Sequence, residues 1–132
     1  MTTELALFTL WERLLGELLD RTGKMPKSAR FTFGQRIDNL GLDVVGLLAC
    51  ARYSGAGRKQ AALREIDLRL VQLRLLVRLA HDRRLLDPTS YDVLARGLDE
   101  AGRMVGGWRA EAARRGAGRP PAGGDDADPD LR

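Results

Sequence analysis

The stretch RKQAALREIDLRLVQLRLLVRLAHDRR, Arg58 to Arg84, decides the fold. At 100° per residue, Leu63, Ile66, Leu70, Leu73, Val77 and Ala80 fall on one side of a helix, while Leu68, Val71, Leu75 and Leu79 fall on nearly the opposite side. One stripe is enough to seat a helix in a bundle. The second needs its own cover, and two readings fit: another copy of the chain, or the neighbouring helices of the same bundle. The angular separation favours self-association.

Working outward, Asp87-Pro88 stops this helix and opens the next, for which Thr89 or Ser90 is the expected cap. Tyr91, Leu94, Leu98, Ala101, Val105 and Trp108 then recur inward, and the pattern fades after about Arg115. Upstream, Ser54, Gly55 and Gly57 end a helix from about Ser28 to Tyr53 with Phe33, Ile37, Leu40, Val44, Leu47, Leu48 and Ala51 on one face. The first helix, capped by Thr2 or Thr3, turns Leu7, Phe8, Trp11, Leu14, Leu15, Leu18 and Leu19 inward and stops at Gly23. With almost no run of β-branched residues, the reading is all-α: an antiparallel up-down four-helix bundle over 1–115. Residues 116–132 are Gly, Pro and Asp with almost nothing to bury, and read as a disordered acidic tail.

Charge is uneven. The chain carries +4, but 116–132 set two arginines against four aspartates, a balance of −2, leaving +6 on 1–115. A basic body suits polyanionic partners, nucleic acid among them, and the acidic tail is expected to compete for the same surface. Aromatic residues make up 5% of the chain, too few for a platform that stacks successive bases.

Catalysis finds little support. The single cysteine, Cys50, has no partner thiol, the single histidine, His81, is far from it, and no metal, nucleotide or nucleophile-elbow spacing occurs. Neither an enzyme nor a cofactor is expected. Glu12, Arg13 and Glu17 interrupt the most apolar segment, so no membrane span is expected; Glu4 argues against a secretory signal, and the free cysteine fits a cytoplasmic setting.

Two basic constellations stand out. Lys24, Lys27, Arg30 and Arg36 surround a Pro26-led helix start, where exposed N–H groups already favour an anion; alternatively, Ser28 caps the helix and these cations are merely solvated. Arg74 and Arg78, four apart, are like-charged neighbours on the third helix, awaiting a polyanion or screened by Asp67 and Asp82. Glycines at 34, 41, 46, 97, 102, 106 and 107 lie inside helices at a cost, which close helix approach would offset, above all where Gly106-Gly107 precedes Trp108.

The runs Lys24 to Ile37 (KMPKSARFTFGQRI), Leu73 to Ala80 (LRLLVRLA) and Gly102 to Trp108 (GRMVGGW) resemble the accessory variability determinant proteins of bacterial diversity-generating retroelements. These belong to a wider group of four-helix-bundle proteins that includes those encoded in intervening sequences of bacterial large-subunit ribosomal RNA genes. The resemblance implies a cyclic homopentamer with a basic surface. It further implies a non-enzymatic accessory that binds the element's reverse transcriptase and nucleic acid, RNA and possibly DNA, to support mutagenic retrohoming. Carried onto this chain, contacts to nucleic acid or polymerase fall on Lys24, Lys27, Arg30, Arg36, Arg74 and Arg78. The two-stripe argument, rather than the family, places subunit contacts at Leu68, Val71, Leu75 and Leu79. The competing expectation is a stand-alone interaction protein of the intervening-sequence type, with a protein partner and no nucleic acid.

Overall fold

The computed structural model describes residues 3–117, and among them every regular element is helical. Helix α1 is Thr3–Gly23. Helix α2 opens as Lys27–Ala29, passes through a π-helical stretch, Arg30–Gly34, and continues as Gln35–Tyr53. Helix α3 is Ala56–Asp82 and α4 is Pro88–Ala117. Each helix packs on the next and α4 returns to α1, so the four close a bundle in which α1 and α3 are diagonal. Of the expected acidic tail, Gly116 and Ala117 extend α4, and the remainder lies outside the described residues, as does Thr2.

Helix α3 buries the stripe read from the sequence: Leu63, Ile66, Leu70, Leu73, Val77 and Ala80 are each at most 1% exposed. Its opposite stripe finds no cover among the described residues. Leu68, Val71, Leu75 and Leu79 are 41–55% exposed, which removes the reading in which neighbouring helices enclose them. A bundle helix has only two flanking neighbours, and an arc turned nearly 180° from the core meets neither.

Helix α1 is seated by two glycines. Trp11 Nε1 donates to the Gly41 carbonyl at 3.1 Å, and a Cβ built on Gly41 would lie 2.7 Å from Leu15 Cδ1. Across the bundle, a Cβ on Gly97 would lie 2.6, 3.2 and 3.4 Å from three atoms of Leu14. Gly106 and Gly107, by contrast, face open space, so the close approach expected before Trp108 occurs instead at Gly41 and Gly97. Trp108 is buried, as is Trp11.

Some side chains depart from their expected faces. Leu19 is 38% exposed because it stands about 100° round the helix from Leu18, at the rim of the core-facing arc. Phe8, Phe33, Leu47 and Tyr91 pack against the core only in part. The loops plug one end of the bundle: Met25 between α1 and α2, and Leu86 between α3 and α4, are both buried.

These contacts predict opposite signs for two glycine substitutions. Gly106→Ala should stabilise by about 0.5–1 kcal/mol, since alanine restores helix propensity in open space. Gly97→Ala should destabilise by on the order of 1 kcal/mol, because all of Leu14 must shift. Thermal unfolding followed by circular dichroism would show the midpoint rise for the first and fall for the second.

Candidate functional site

At the α1–α2 corner the chain turns around Thr22, whose hydroxyl oxygen lies 2.6 Å from Asp38 Oδ1 and 3.1 Å from the Leu19 carbonyl. Pro26 stands at the cap position of α2, with its carbonyl accepting from the N–H groups of Ala29 (2.9 Å) and Arg30 (3.0 Å). Ser28 is exposed and makes no cap bond, which sets aside its expected capping role. The π-helical stretch follows at once, with the Gln35 N–H donating to the Arg30 carbonyl five residues back. Widening the helix here buries Gly34 against Thr22 and leaves Phe31 68% exposed. A shallow cleft results, lined by Leu19, Thr22, Lys27, Arg30, Phe31 and Asp38 among others. Lys24, Lys27, Arg30 and Arg36 are all exposed, but only Lys27 and Arg30 line the cleft.

The α3–α4 corner is built differently. The Leu85 N–H donates to the Ala80 carbonyl (2.8 Å) and the Arg84 N–H to that of His81 (2.9 Å), the paired bonds of a Schellman turn. Arg84 occupies the left-handed position, φ +64°, that glycine usually takes. Asp87 then caps α4, accepting from the Ser90 N–H at 2.8 Å and the Ser90 hydroxyl at 2.7 Å, with Pro88 in the first turn. The cap is thus Asp87, not Thr89 or Ser90. His81 stacks on Tyr91 with ring centroids 4.2 Å apart, which ties the end of α3 to the start of α4.

Arg74 lies half-buried across α4, where a Cβ on Gly102 would be 2.7 Å from its Nη1. It shares a groove with exposed Arg78, Tyr91, Ala95, Leu98 and Asp99. The expected screen is only partly present: Asp67 is held by Arg109 at 2.9 Å, and Asp82 is approached by His81 at 3.9 Å.

The fold therefore sorts the six cations into two groups. Lys24, Lys27, Arg30 and Arg36 belong to the α1–α2 corner, whereas Arg74 and Arg78 occupy the α3–α4 groove. Both groups lie toward the same end of the antiparallel bundle, on different helix pairs. None of the six forms an ion pair with another described residue, whereas Arg52, Arg69, Arg96, Arg103, Arg109 and Arg115 all do. Among the described residues no cluster of His, Cys, Asp and Glu could hold a metal ion, and no helix is long and apolar enough to cross a membrane.

A family model described as bAvd-like matches residues 7–112, most of the chain. The chain belongs to the bAvd-like family. This is a family of accessory, non-catalytic proteins. Comparisons with curated proteins and with solved structures gave no match.

Two features of this bAvd-like chain escaped sequence reasoning. Phe31 belongs to none of the inward stripes read from spacing, and only the π-helical turn shows that it stands out beside Lys27 and Arg30. Arg84 gave no signal because left-handed backbone is marked by glycine or asparagine, and neither is there. Arg84→Gly should stabilise by on the order of 1 kcal/mol by relieving that conformation, while deleting one cation. Equilibrium unfolding in urea would register the gain.

The Asp87 carboxyl is held below its ordinary value, first by the Ser90 hydroxyl and then by the Ser90 N–H. A depressed native value stabilises the fold fully above the usual carboxylate range, and the contribution disappears as pH falls through the native value. Wild type should therefore exceed Asp87→Ala in stability at neutral pH, and the gap should close with acidification. Urea titrations at stepped pH would test this.

Proposed function

We propose that the chain is the accessory variability determinant of a bacterial diversity-generating retroelement. In this reading it is a non-enzymatic, cytoplasmic four-helix bundle that assembles into a cyclic homo-oligomer, a pentamer by family resemblance. It binds the element's reverse transcriptase together with RNA, and cDNA made from it, in support of mutagenic retrohoming. Membership of the bAvd-like family over residues 7–112 carries the reading.

The geometry supplies a physical rationale. Exposed cations without acidic partners among the described residues retain their full field for phosphates. Lys24, Lys27, Arg30 and Arg36 would meet nucleic acid or polymerase at the α1–α2 corner, with Phe31 offering a face on which one base can stack. Arg74 and Arg78 would extend the contact along α3 and α4. A ring repeats both groups around its axis, so its summed field exceeds that of one copy. Leu68, Val71, Leu75 and Leu79, exposed on each chain, would be covered between copies.

RNA binding should then fall at least tenfold between about 50 and 200 mM salt, as expected when several phosphates are neutralised per complex. The double variants Lys27→Glu with Arg30→Glu, and Arg74→Glu with Arg78→Glu, should each weaken RNA or polymerase association while leaving helicity intact. Filter binding and copurification with the neighbouring polymerase read these outcomes. Salt-independent binding, or association unchanged in both variants, would instead favour an interaction protein that uses no nucleic acid.

A further inference from the structure

Charge alone does not account for Phe31 at the α1–α2 corner. Its ring is 68% exposed. Among the described Phe, Tyr and Trp side chains only Tyr53 is also exposed, and it stands at the far end of α2 with the Arg52 guanidinium over its ring. A lone ring cannot hold the successive bases of a strand, but it can hold one.

Two kinds of group surround the ring in its cleft. Where α2 begins, Lys27 and Arg30 line the wall, and neither has an acidic partner among the described residues. Farther along, Gln35 and Asn39 line it as well. Phe31, Gln35 and Asn39 are spaced four apart, so the two exposed amides follow the ring along one side of α2. Neither amide makes a side-chain hydrogen bond among the described residues. Asp38 is the one acid in the lining, and its Oδ1 lies 2.6 Å from the Thr22 hydroxyl, against α1.

These parts match those of a nucleotide. The cations suit its phosphate, the ring suits the face of its base, and an amide, which carries both donors and an acceptor, can satisfy the edge of any base. A duplex cannot use the cleft in this way, since its base faces are stacked on their neighbours and its edges are paired, with the major groove of an RNA helix too deep and narrow for side chains to read. An acidic protein surface would satisfy Lys27 and Arg30 and leave the ring in water; an apolar one would do the reverse. A nucleotide meets both needs in one unit.

We propose that the cleft holds a single unpaired nucleotide stacked on Phe31, so that this corner selects single-stranded over duplex RNA with little regard to sequence. The inference rests on the nucleic-acid reading above and names the form of nucleic acid that is bound.

Phe31→Leu and Phe31→Trp test it, because leucine keeps an apolar side chain without a stacking face and tryptophan keeps the face. The probes are a short labelled single-stranded RNA and the same strand annealed to its complement, followed by fluorescence anisotropy at one fixed salt concentration. Phe31→Leu should weaken single-strand binding about fivefold or more, as loss of one base–aromatic stack requires, and leave duplex binding unchanged. Phe31→Trp should retain single-strand binding. Trp11 and Trp108 are buried, so unlabelled single strand should quench the fluorescence of Phe31→Trp well beyond that of wild type, and duplex should not. If Phe31→Leu binds single strand as wild type does, or loses both forms equally, the stacked nucleotide is overturned while RNA binding survives. Loss of polymerase copurification in Phe31→Leu with both RNA affinities intact would assign the ring to a protein contact and overturn it too. If wild type binds neither RNA, the nucleic-acid reading fails and this one with it. Should Phe31→Leu lose helicity by circular dichroism, the quenching of Phe31→Trp decides: selective quenching by single strand supports the proposal, and none, or equal quenching by duplex, overturns it.

Discussion

A helix with apolar residues on two opposite sides can satisfy only one of them inside a four-helix bundle. Helix α3 meets that constraint by burying Leu63 to Ala80 along one side and leaving Leu68, Val71, Leu75 and Leu79 in water. Covering what remains exposed of those four contributes roughly 1 kcal/mol each. Holding two proteins together costs about 4–15 kcal/mol. The stripe alone therefore sits near the threshold, and a partner surface that is itself apolar is needed to exceed it. In the function proposed above, assembly and the pooling of charge for a polyanion both rest on that one exposed stripe.

The rest of the bundle keeps α3 in place and distributes the cations. Close approach of α1 to Gly41 and Gly97 draws it against α2 and α4, and Met25 and Leu86 close one end. At the two corners of that end the chain does what regular helix cannot. A π-helical turn pushes Phe31 and Arg30 outward, and a left-handed Arg84 finishes α3. Acidic residues are meanwhile engaged elsewhere, with Asp43 and Glu65 on Arg69, Asp67 on Arg109 and Glu4 on Arg52. The cations of the α1–α2 corner and the α3–α4 groove are among those that this pairing, within the described residues, leaves over.

Much of this was legible before any coordinates, because helical periodicity is a strong signal when it extends over six or seven turns. The inward stripes of α3 and α4 followed directly from spacing, as did the exposure of Leu68 to Leu79 once two opposed stripes were recognised. Less was legible where short-range geometry decides. Asp87 caps α4 in place of Thr89 or Ser90, because Pro88 occupies the first helical position and so sets the cap on the residue just before it. Which glycines admit a close neighbour depends on where α1 lands, and no local pattern separates Gly97 from Gly106. The α1–α2 cleft arises from the rims of two helices and belongs to neither pattern alone.

The most direct measurement is the molar mass of the unmodified chain in solution, by light scattering at low and at about 1 M salt. Burial of an apolar stripe predicts a defined multiple of 14.6 kDa that survives high salt, since hydrophobic contact is not screened as charge is. A mass of 14.6 kDa under both conditions would contradict the account.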